Sequence, residues 1–348
     1  MKFTADILKK PMVRPEKTEE KERLQRSETE RTISLNGLLA IYRKEMADHI
    51  HSRRFLIVLC LILITSFASI YGSVSTLIED SVSGVQADYL FLQLFTLSSG
   101  SIPSFMSFIA LLGPFVGITM GFDAINSEMT EGTMNHLVSQ PVYRDSVING
   151  KFLAAATMIF LMVFSMGLLI GAVGLLVIGI PPSPEEVGRI FFFLFFTGVY
   201  ICFWLALSIL FSVLCRHTAT SAMLSIACWI FFALFMSMVV SVLVSVISPA
   251  EEIFTWGQLL DAYNLELGLN RLSPYYLYSE AVSTIMSPTV RTTNAILPQQ
   301  LSGAITGYLS LGQSLLLVWP HLVALLAVTA AIFAISYIVF MRREIRSR

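Results

Sequence analysis

The chain has 348 residues, of which 55% are hydrophobic and only 14% are charged, and its formal net charge is −1. Soluble domains carry roughly 25% charged residues, so this composition excludes an ordinary soluble protein and predicts a membrane protein. The four cysteines form no Cys-x-x-Cys pair and fall in or beside apolar stretches, which predicts neither a metal site nor a disulfide framework. They are Cys60, Cys202, Cys215 and Cys228.

The N-terminal region divides into two parts. Residues 1–33 are rich in charged side chains and contain no apolar run, which predicts a disordered cytoplasmic arm and no cleavable signal peptide. In residues 34–54, Leu38, Tyr42 and Met46 recur at helical spacing among polar residues. This pattern predicts an amphipathic elbow helix in the membrane interface, with its apolar side toward lipid and its cations toward headgroups.

Six stretches are long and apolar enough to cross a bilayer, which predicts an all-α polytopic membrane protein with six transmembrane helices. They run from Phe55 to Ile78, Ile102 to Phe122, Phe152 to Ile180, Ile190 to Leu214, Ala219 to Ile247 and Ser314 to Met341. Their interiors contain no Asp, Glu, Lys or Arg, which argues against an ion-coupled carrier. His321 is expected to be an interfacial or packing histidine. Gly167, Gly171 and Gly174 in the third span permit close helix contact, although they equally serve ordinary bundle packing.

The distribution of cations predicts the orientation. Twenty of the 23 Lys and Arg residues fall on one side of the predicted spans, including those of the basic tail 342–348. By the positive-inside rule, both termini and the 123–151 loop are then cytoplasmic. The 248–313 loop lies outside the cell and is too long for a bare connector. Within it, we expect a short helix that is capped by Ser273, begins at Pro274 and carries Tyr275, Tyr278 and Val282 on one side.

The 123–151 loop is a polar island between the second and third spans. Gly132 permits a bend, Pro141 ends a helix, and Asp145 is expected to cap the third span. The segment between Gly132 and Pro141 is predicted to be a short amphipathic helix whose apolar face enters a groove on a partner. The alternative is an interfacial helix that merely packs against lipid.

The same loop resembles that of permeases of the ABC-2 (type-2) exporter family. The shared pattern is Glu-x-x-x-Gly-Thr-x-x-x-Leu-x-Ser-Gln-Pro-Val-x-Arg, followed by Gly-Lys. The resemblance implies a type V exporter fold and coupling to a separate ABC ATPase subunit, which holds ATP and Mg²⁺, with no cofactor on this chain. It also implies pairing with a second copy or a paralogous permease. The coupling residues that it implies are Glu128, Gly132, Thr133, Leu137, Ser139, Gln140, Pro141, Arg144 and Lys151.

The resemblance assigns further roles. Glu128, Gly132 and Pro141 would shape the coupling helix, whereas Arg144 and Lys151 would anchor the loop at headgroups or on the ATPase. For these two cations, ordinary positive-inside placement is an equal alternative. The extracytoplasmic motif formed by Ser273, Pro274, Leu277 and Tyr278 resembles one in a subset of these permeases, which includes the nitrous-oxide reductase maturation permease. The expected location is the plasma membrane, with lipids and no nucleic acid as partners.

No enzyme motif accompanies these features. Gly150-Lys151 lacks both the earlier glycine and the following Ser or Thr of a P-loop, so energy has to come from another subunit. Two alternatives to an ATP-driven exporter stay open. One is a secondary carrier or channel without an ATPase, and the other is a non-transporting subunit that transmits force to an extracytoplasmic partner.

Overall fold

The computed structural model describes residues 36–82, 89–100, 102–130, 143–179, 181–249, 255–289 and 308–343. Within these ranges the chain is nearly all helical, and the one β feature there is an isolated bridge between Ser99 and Ile102. The charged arm, residues 131–142 of the 123–151 loop and parts of the 248–313 loop lie outside the described residues.

Six described helices are long and apolar enough to span a bilayer, which confirms the predicted fold class. They are α2 (Arg53–Val82), α4 (Phe105–Gly121), α6 (Arg144–Ile178), α7 (Pro184–Leu214), α8 (Thr218–Ile247) and α11 (Leu311–Arg342). Shorter helices lie between and before them. They are α1 (residues 36–51), α3 (Leu90–Thr96), α5 (Asn126–Thr130), α9 (Trp256–Asn270) and α10 (Pro274–Met286).

The bundle has two ends, which we name by the segments found there. At the arm end, α1 and α5 meet the start of α6 and the end of α11; there, the Thr130 hydroxyl lies 3.5 Å from the Arg216 carbonyl oxygen. At the loop end, α9 and α10 join the opposite ends of the spans, and the Phe91 N–H donates to Glu186 Oε1 at 3.0 Å. The ion pairs between described residues lie at these two ends, because hydrocarbon cannot solvate their charges.

The fourth span, α7, is the central helix of the bundle. Tyr200 and Trp204 on it are fully buried. The second span lies against it so closely that a Cβ on Gly117 would approach the Ile201 carbonyl oxygen to 2.5 Å. Close backbone contact of this kind lets two helices gain packing energy in a lipid solvent, where no hydrophobic force drives them together.

One expectation about the third span is wrong, and another holds for two of its three glycines. Asp145 does not cap α6: the cap position is Tyr143, and Asp145 lies in the first turn, where its Oδ1 accepts from the Ser146 N–H at 2.7 Å. The helix begins before Asp145, so the carboxylate instead interacts favourably with the positive end of the helix dipole. Gly167 and Gly174 do face close neighbours, but a Cβ on Gly171 would meet nothing within 4 Å.

Candidate functional site

Lys151 is the centre of a charged network at the arm end. Its side chain is nearly fully buried, and its Nζ lies 2.8 Å from Glu45 Oε1 and 2.8 Å from Glu128 Oε1. Glu45 belongs to α1, Glu128 to α5 and Lys151 to α6. Because a buried ammonium group needs compensating carboxylates, these three helices are held together at this point.

Lys44 completes the network from its outer side. Its Nζ lies 3.4 Å from Glu45, 3.6 Å from Glu128 and 3.7 Å from Asp48, and half of its side chain is exposed. Burial of the Glu45 carboxyl would raise its pKa, but the ammonium groups of Lys151 and Lys44 outweigh burial and lower that pKa. Glu45 is therefore a carboxylate at neutral pH and a stable partner for Lys151.

Close packing of α1 on α6 brings the Glu45 carboxylate within hydrogen-bond distance of Lys151. A Cβ built on Gly150 would lie 2.8 Å from Ile41 Cγ2, so a side chain other than hydrogen would push the two helices apart. Glu45 follows Ile41 by one helical turn and points the same way. Both face the bundle, although neither belongs to the apolar stripe that the sequence predicted for this helix.

Arg144 binds the end of the last span. Its Nη2 donates to the carbonyl oxygens of Arg343 at 2.9 Å and Phe340 at 3.3 Å, and its guanidinium lies over the Phe340 ring. The last carbonyl groups of a helix lack partners within the helix, so Arg144 supplies donors for them. Its positive charge also interacts favourably with the negative end of the helix dipole. The Lys151 side chain is only 5% exposed, and the predicted roles of Arg144 and Lys151 at headgroups or on the ATPase stay predictions.

Two further contacts fix the turn between the second span and α5. The Ser212 hydroxyl accepts the N–H groups of Ile125 at 3.0 Å and Asn126 at 3.2 Å. Arg54, at the start of the first span, pairs with Asp123. Glu128 thus emerges from a segment that is hydrogen-bonded to two spans. The other predicted coupling residues lie outside the described residues: Gly132, Thr133, Leu137, Ser139, Gln140 and Pro141.

Residues 39–345 match the sequence profile of the family described as ABC-2 family transporter protein. The chain belongs to this family. The matched range includes the long helices and the charged network, so this chain is a membrane permease component of an ABC transporter, a class of subunit that is generally non-catalytic. The family also implies an ABC ATPase as its partner. A comparison with curated proteins gave no match. The narrower resemblance to the nitrous-oxide reductase maturation group stays a prediction.

At the loop end, the permease has the short helix that the sequence predicted. α10 begins at Pro274, and its cap residue Ser273 accepts the Tyr276 N–H at 3.4 Å. Tyr278 is buried and lies 2.7 Å, through its hydroxyl, from that of Thr197 on the fourth span. Leu277 is partly buried on the same helix. The capped helix is confirmed, whereas its role as a functional motif stays a prediction.

Ser273 also makes a contact that sequence reasoning did not find. The fifth span contains a π-helical segment, Phe231–Phe235, where the Met236 N–H bonds to the Phe231 carbonyl instead of the Phe232 carbonyl of a regular α-helix. The Ser273 hydroxyl donates to that Phe232 carbonyl at 2.8 Å. A π segment therefore ties α10 to the middle of a span, and such segments often mark functional positions.

Buried charges at the loop end were also missed. Arg189, assigned to a loop by its sequence, is fully buried in α7, and its guanidinium donates to the carbonyl oxygens of Ile285 at 2.5 Å and Leu309 at 2.6 Å. It also pairs with Glu185, one turn before it, at 3.0 Å. That i, i+4 spacing of opposite charges was the available signal. Arg189 fastens the fourth span to α10 and to the segment before the last span.

His321 belongs to a second cluster at the loop end. Its Nε2 lies 2.8 Å from Glu280 Oε2, and Glu280 Oε1 accepts from Arg271 at 2.7 Å. Burial would raise the pKa of Glu280, but the hydrogen bonds from His321 and Arg271 lower it. The predicted packing histidine is thus a polar partner of α10, which no sequence pattern indicated.

We expect Gly150→Ala to lower the melting temperature of the purified permease, although alanine forms helices better than glycine. The new Cβ would press on Ile41, whose β-branched side chain cannot rotate away, and such overpacking costs roughly 1–3 kcal/mol. Gly171→Ala in the same helix meets nothing within 4 Å and should be neutral or mildly stabilising. Equal melting temperatures for the two variants in detergent would contradict the close contact between α1 and α6.

Stability of the permease should depend on pH through His49, which lies beside the network on α1. Burial lowers its pKa most, and Lys151 lowers it further, whereas Glu45 and Asp123 oppose them. The pKa of His49 is thus lower in the folded protein than in the unfolded protein, where it is about 6.5. Stability is therefore full above pH 6.5 and falls as the pH drops toward the folded pKa, because the unfolded protein binds the proton more tightly. His49→Gln should therefore flatten the decline of melting temperature below pH 6.5. His51→Gln, on the exposed side of α1, should leave that decline unchanged.

Proposed function

We propose that this permease is the membrane part of an ATP-driven exporter, and that separate ATPase subunits bind its 123–151 loop at the arm end. The proposed orientation puts the arm end and both termini in the cytoplasm and the loop end outside the plasma membrane. ATP and Mg²⁺ belong to the ATPase. The asymmetric placement of Lys and Arg supports this orientation, and membership of the ABC-2 family supports the partner.

The ion cluster around Lys151 is the observation that carries the coupling proposal. Glu128 precedes the predicted coupling helix of the loop, and Lys151 follows it, so the 2.8 Å contact between them clamps both ends of the loop. Glu45 adds α1 to the same clamp. Separating buried opposite charges is costly, so a push on the loop would move α1 and the second and third spans as one unit.

Arg144 extends this path to the last span. Its bonds to the Phe340 and Arg343 carbonyl oxygens join the start of the third span to the end of the sixth. Arg343 in turn donates to the Val213 carbonyl at the end of the fourth span. The loop ends are therefore connected to the arm-end termini of the spans by ionic and hydrogen-bonded contacts, which resist displacement better than isolated apolar packing.

We further propose that two permease chains pair in the membrane, either as a homodimer or with a paralogue. The fifth span supports this, since one long side of it carries exposed apolar side chains. They include Phe231, Leu234, Met238, Val242 and Val246. In the proposed cycle, closure of the ATPases pushes both loops and opens the surface between the two permeases outward.

Co-purification tests the proposed ATPase contact. The tagged permease is extracted gently from its own membrane, and associated soluble proteins are identified by mass spectrometry. Leu137→Glu places a charge on the predicted apolar face of the loop helix and should release the ATPase. Leu272→Glu changes an exposed leucine at the loop end and is the matched control, so it should retain the ATPase.

Two results would contradict the proposal. If no P-loop ATPase accompanies the wild-type permease under conditions that preserve other membrane complexes, a carrier or channel without ATPase is favoured. If Leu137→Glu retains the ATPase as fully as Leu272→Glu does, the partner binds elsewhere and the loop is not its docking site.

A further inference from the structure

A polar cleft of about 220 Å³ lies beside the Lys151 network at the arm end. It opens between α1 and the adjoining ends of the first four spans. Lys44, Asp48 and His49 line it from α1, Arg54 lines it from the first span, and Asp123 lines it from the end of the second. Such a charged recess differs from the apolar surfaces that the spans present elsewhere.

The carboxylates and the cations that line the cleft differ in number and in how closely they are paired. Among the described residues that line the cleft, four carboxylates face three cations, and burial lowers the pKa of His49 and so favours its neutral form. Lys151 is engaged by Glu45 and Glu128, at 2.8 Å each. Asp48 is 62% exposed, and its nearest cation, Lys44, lies 3.7 Å away. The cleft therefore has surplus negative charge, with acceptor capacity on its outer side.

The position of the cleft selects the kind of ligand. The first span begins at Arg53 and the second ends at Gly121, so the cleft lies where these helices leave the hydrocarbon and enter the headgroup layer. Lys44 and Arg54 are 50% and 61% exposed at its outer side. A molecule that enters there meets both cations and carboxylates within one recess.

We propose that this cleft binds the headgroup of an ethanolamine phospholipid from the leaflet at the arm end. The primary ammonium group lies toward Asp48 and Asp123, and the phosphate lies toward Lys44 and Arg54. This inference does not rest on the proposed ATPase coupling, because it requires only the geometry of the cleft and its depth in the membrane.

The chemistry distinguishes this headgroup from its common competitors. A choline headgroup carries the same charges, but its quaternary ammonium has no N–H to donate to a carboxylate, so it loses the charge-assisted hydrogen bonds. A glycerol headgroup leaves only the phosphate charge, which the surplus carboxylates repel. Ethanolamine alone among these three combines N–H donors with overall neutrality.

Native mass spectrometry of the full chain tests the proposal. The permease is delipidated in detergent and titrated with phosphatidylethanolamine, phosphatidylcholine and phosphatidylglycerol of identical acyl chains. We expect the ethanolamine lipid to bind about tenfold more tightly than the other two, which is the effect of one strong polar contact. Asp48→Asn should remove most of that preference, and so should Asp123→Asn. Asp261→Asn on α9, which is outside the cleft, should keep it.

Several outcomes would overturn the assignment. Equal binding of the ethanolamine and choline lipids would do so, and so would an unchanged preference in Asp48→Asn. Because Asp123 pairs with Arg54, its variant can disturb folding; Asp48 is exposed, and its variant, checked by size-exclusion chromatography, decides the result. A final arm adds soluble phosphoethanolamine, which should compete poorly without acyl chains. If it competes as well as the lipid, the ligand is a soluble metabolite and the lipid assignment is wrong.

Discussion

Replacement of Lys151 with methionine should destabilise this permease by about 3–5 kcal/mol, the usual result of removing one member of a buried ion cluster. Glu45 and Glu128 would lose the ammonium that lies 2.8 Å from each and would face one another with only Lys44 nearby. Methionine has a similar length and preserves the packing, so the loss of stability would measure the effect of removing the charge. Melting in detergent, followed by the loss of the monodisperse peak in size-exclusion chromatography, measures the effect.

Lys44→Met is the matched control, since it removes an ammonium from the same network at a half-exposed position. Exposed ion pairs contribute roughly 0–1 kcal/mol, so this variant should melt close to wild type. A triple variant, Lys151→Met with Glu45→Gln and Glu128→Gln, should recover much of the loss, because neutral amides need no counter-ion. Equal losses in the two lysine variants would refute the central position of Lys151.

Arg189→Met should also destabilise the permease strongly, again by about 3–5 kcal/mol. The side chain is fully buried, and its loss leaves the Ile285 and Leu309 carbonyl oxygens without the guanidinium that joins them. Arg189→Lys should not rescue stability, since one ammonium cannot reproduce the planar set of donors. Proteolysis within residues 255–289 should also become faster than in wild type, because α10 loses its bond to the fourth span.

Glu185→Gln provides the comparison for Arg189. It removes the charge partner at 3.0 Å, but one third of that glutamate side chain is exposed, so the effect should be small. This contrast separates the ion pair from the carbonyl contacts. If Glu185→Gln is as damaging as Arg189→Met, the pair within α7 would be the important interaction and the link to α10 would not.

Much of the architecture could be predicted because it depends on local properties of the chain. The six spans follow from length and apolar content, and the helix at Pro274 follows from a Ser-Pro start and one apolar side. Prediction was weaker at helix ends: α6 begins at Arg144, eight residues before the predicted Phe152, because polar residues continue a helix past the hydrocarbon. Asp145 was misplaced as a cap for the same reason.

The candidate site was only partly predictable. Lys151 and Glu128 were identified through the pattern of the loop, but Glu45 was not, because it belongs to a helix that was predicted to face lipid and headgroups. Arg189 and Glu280 were missed since charged residues beside a span are ordinarily exposed. Arg189 is buried because Glu185 in the same helix balances its charge and carbonyl oxygens from other segments accept its N–H groups. Glu280 is largely covered because Arg271 and His321 pair with its carboxylate.

The sequence by itself determined that this chain crosses a membrane six times, because transfer into hydrocarbon depends on the composition of each segment alone. Its loop pattern also indicated the ABC-2 family. Only the tertiary structure decided which charges meet: Lys151 and Glu45 are 106 positions apart, and Arg189 lies 120 positions from Leu309. Such pairings depend on how the helices pack, and that packing follows from many small contacts that no single segment specifies.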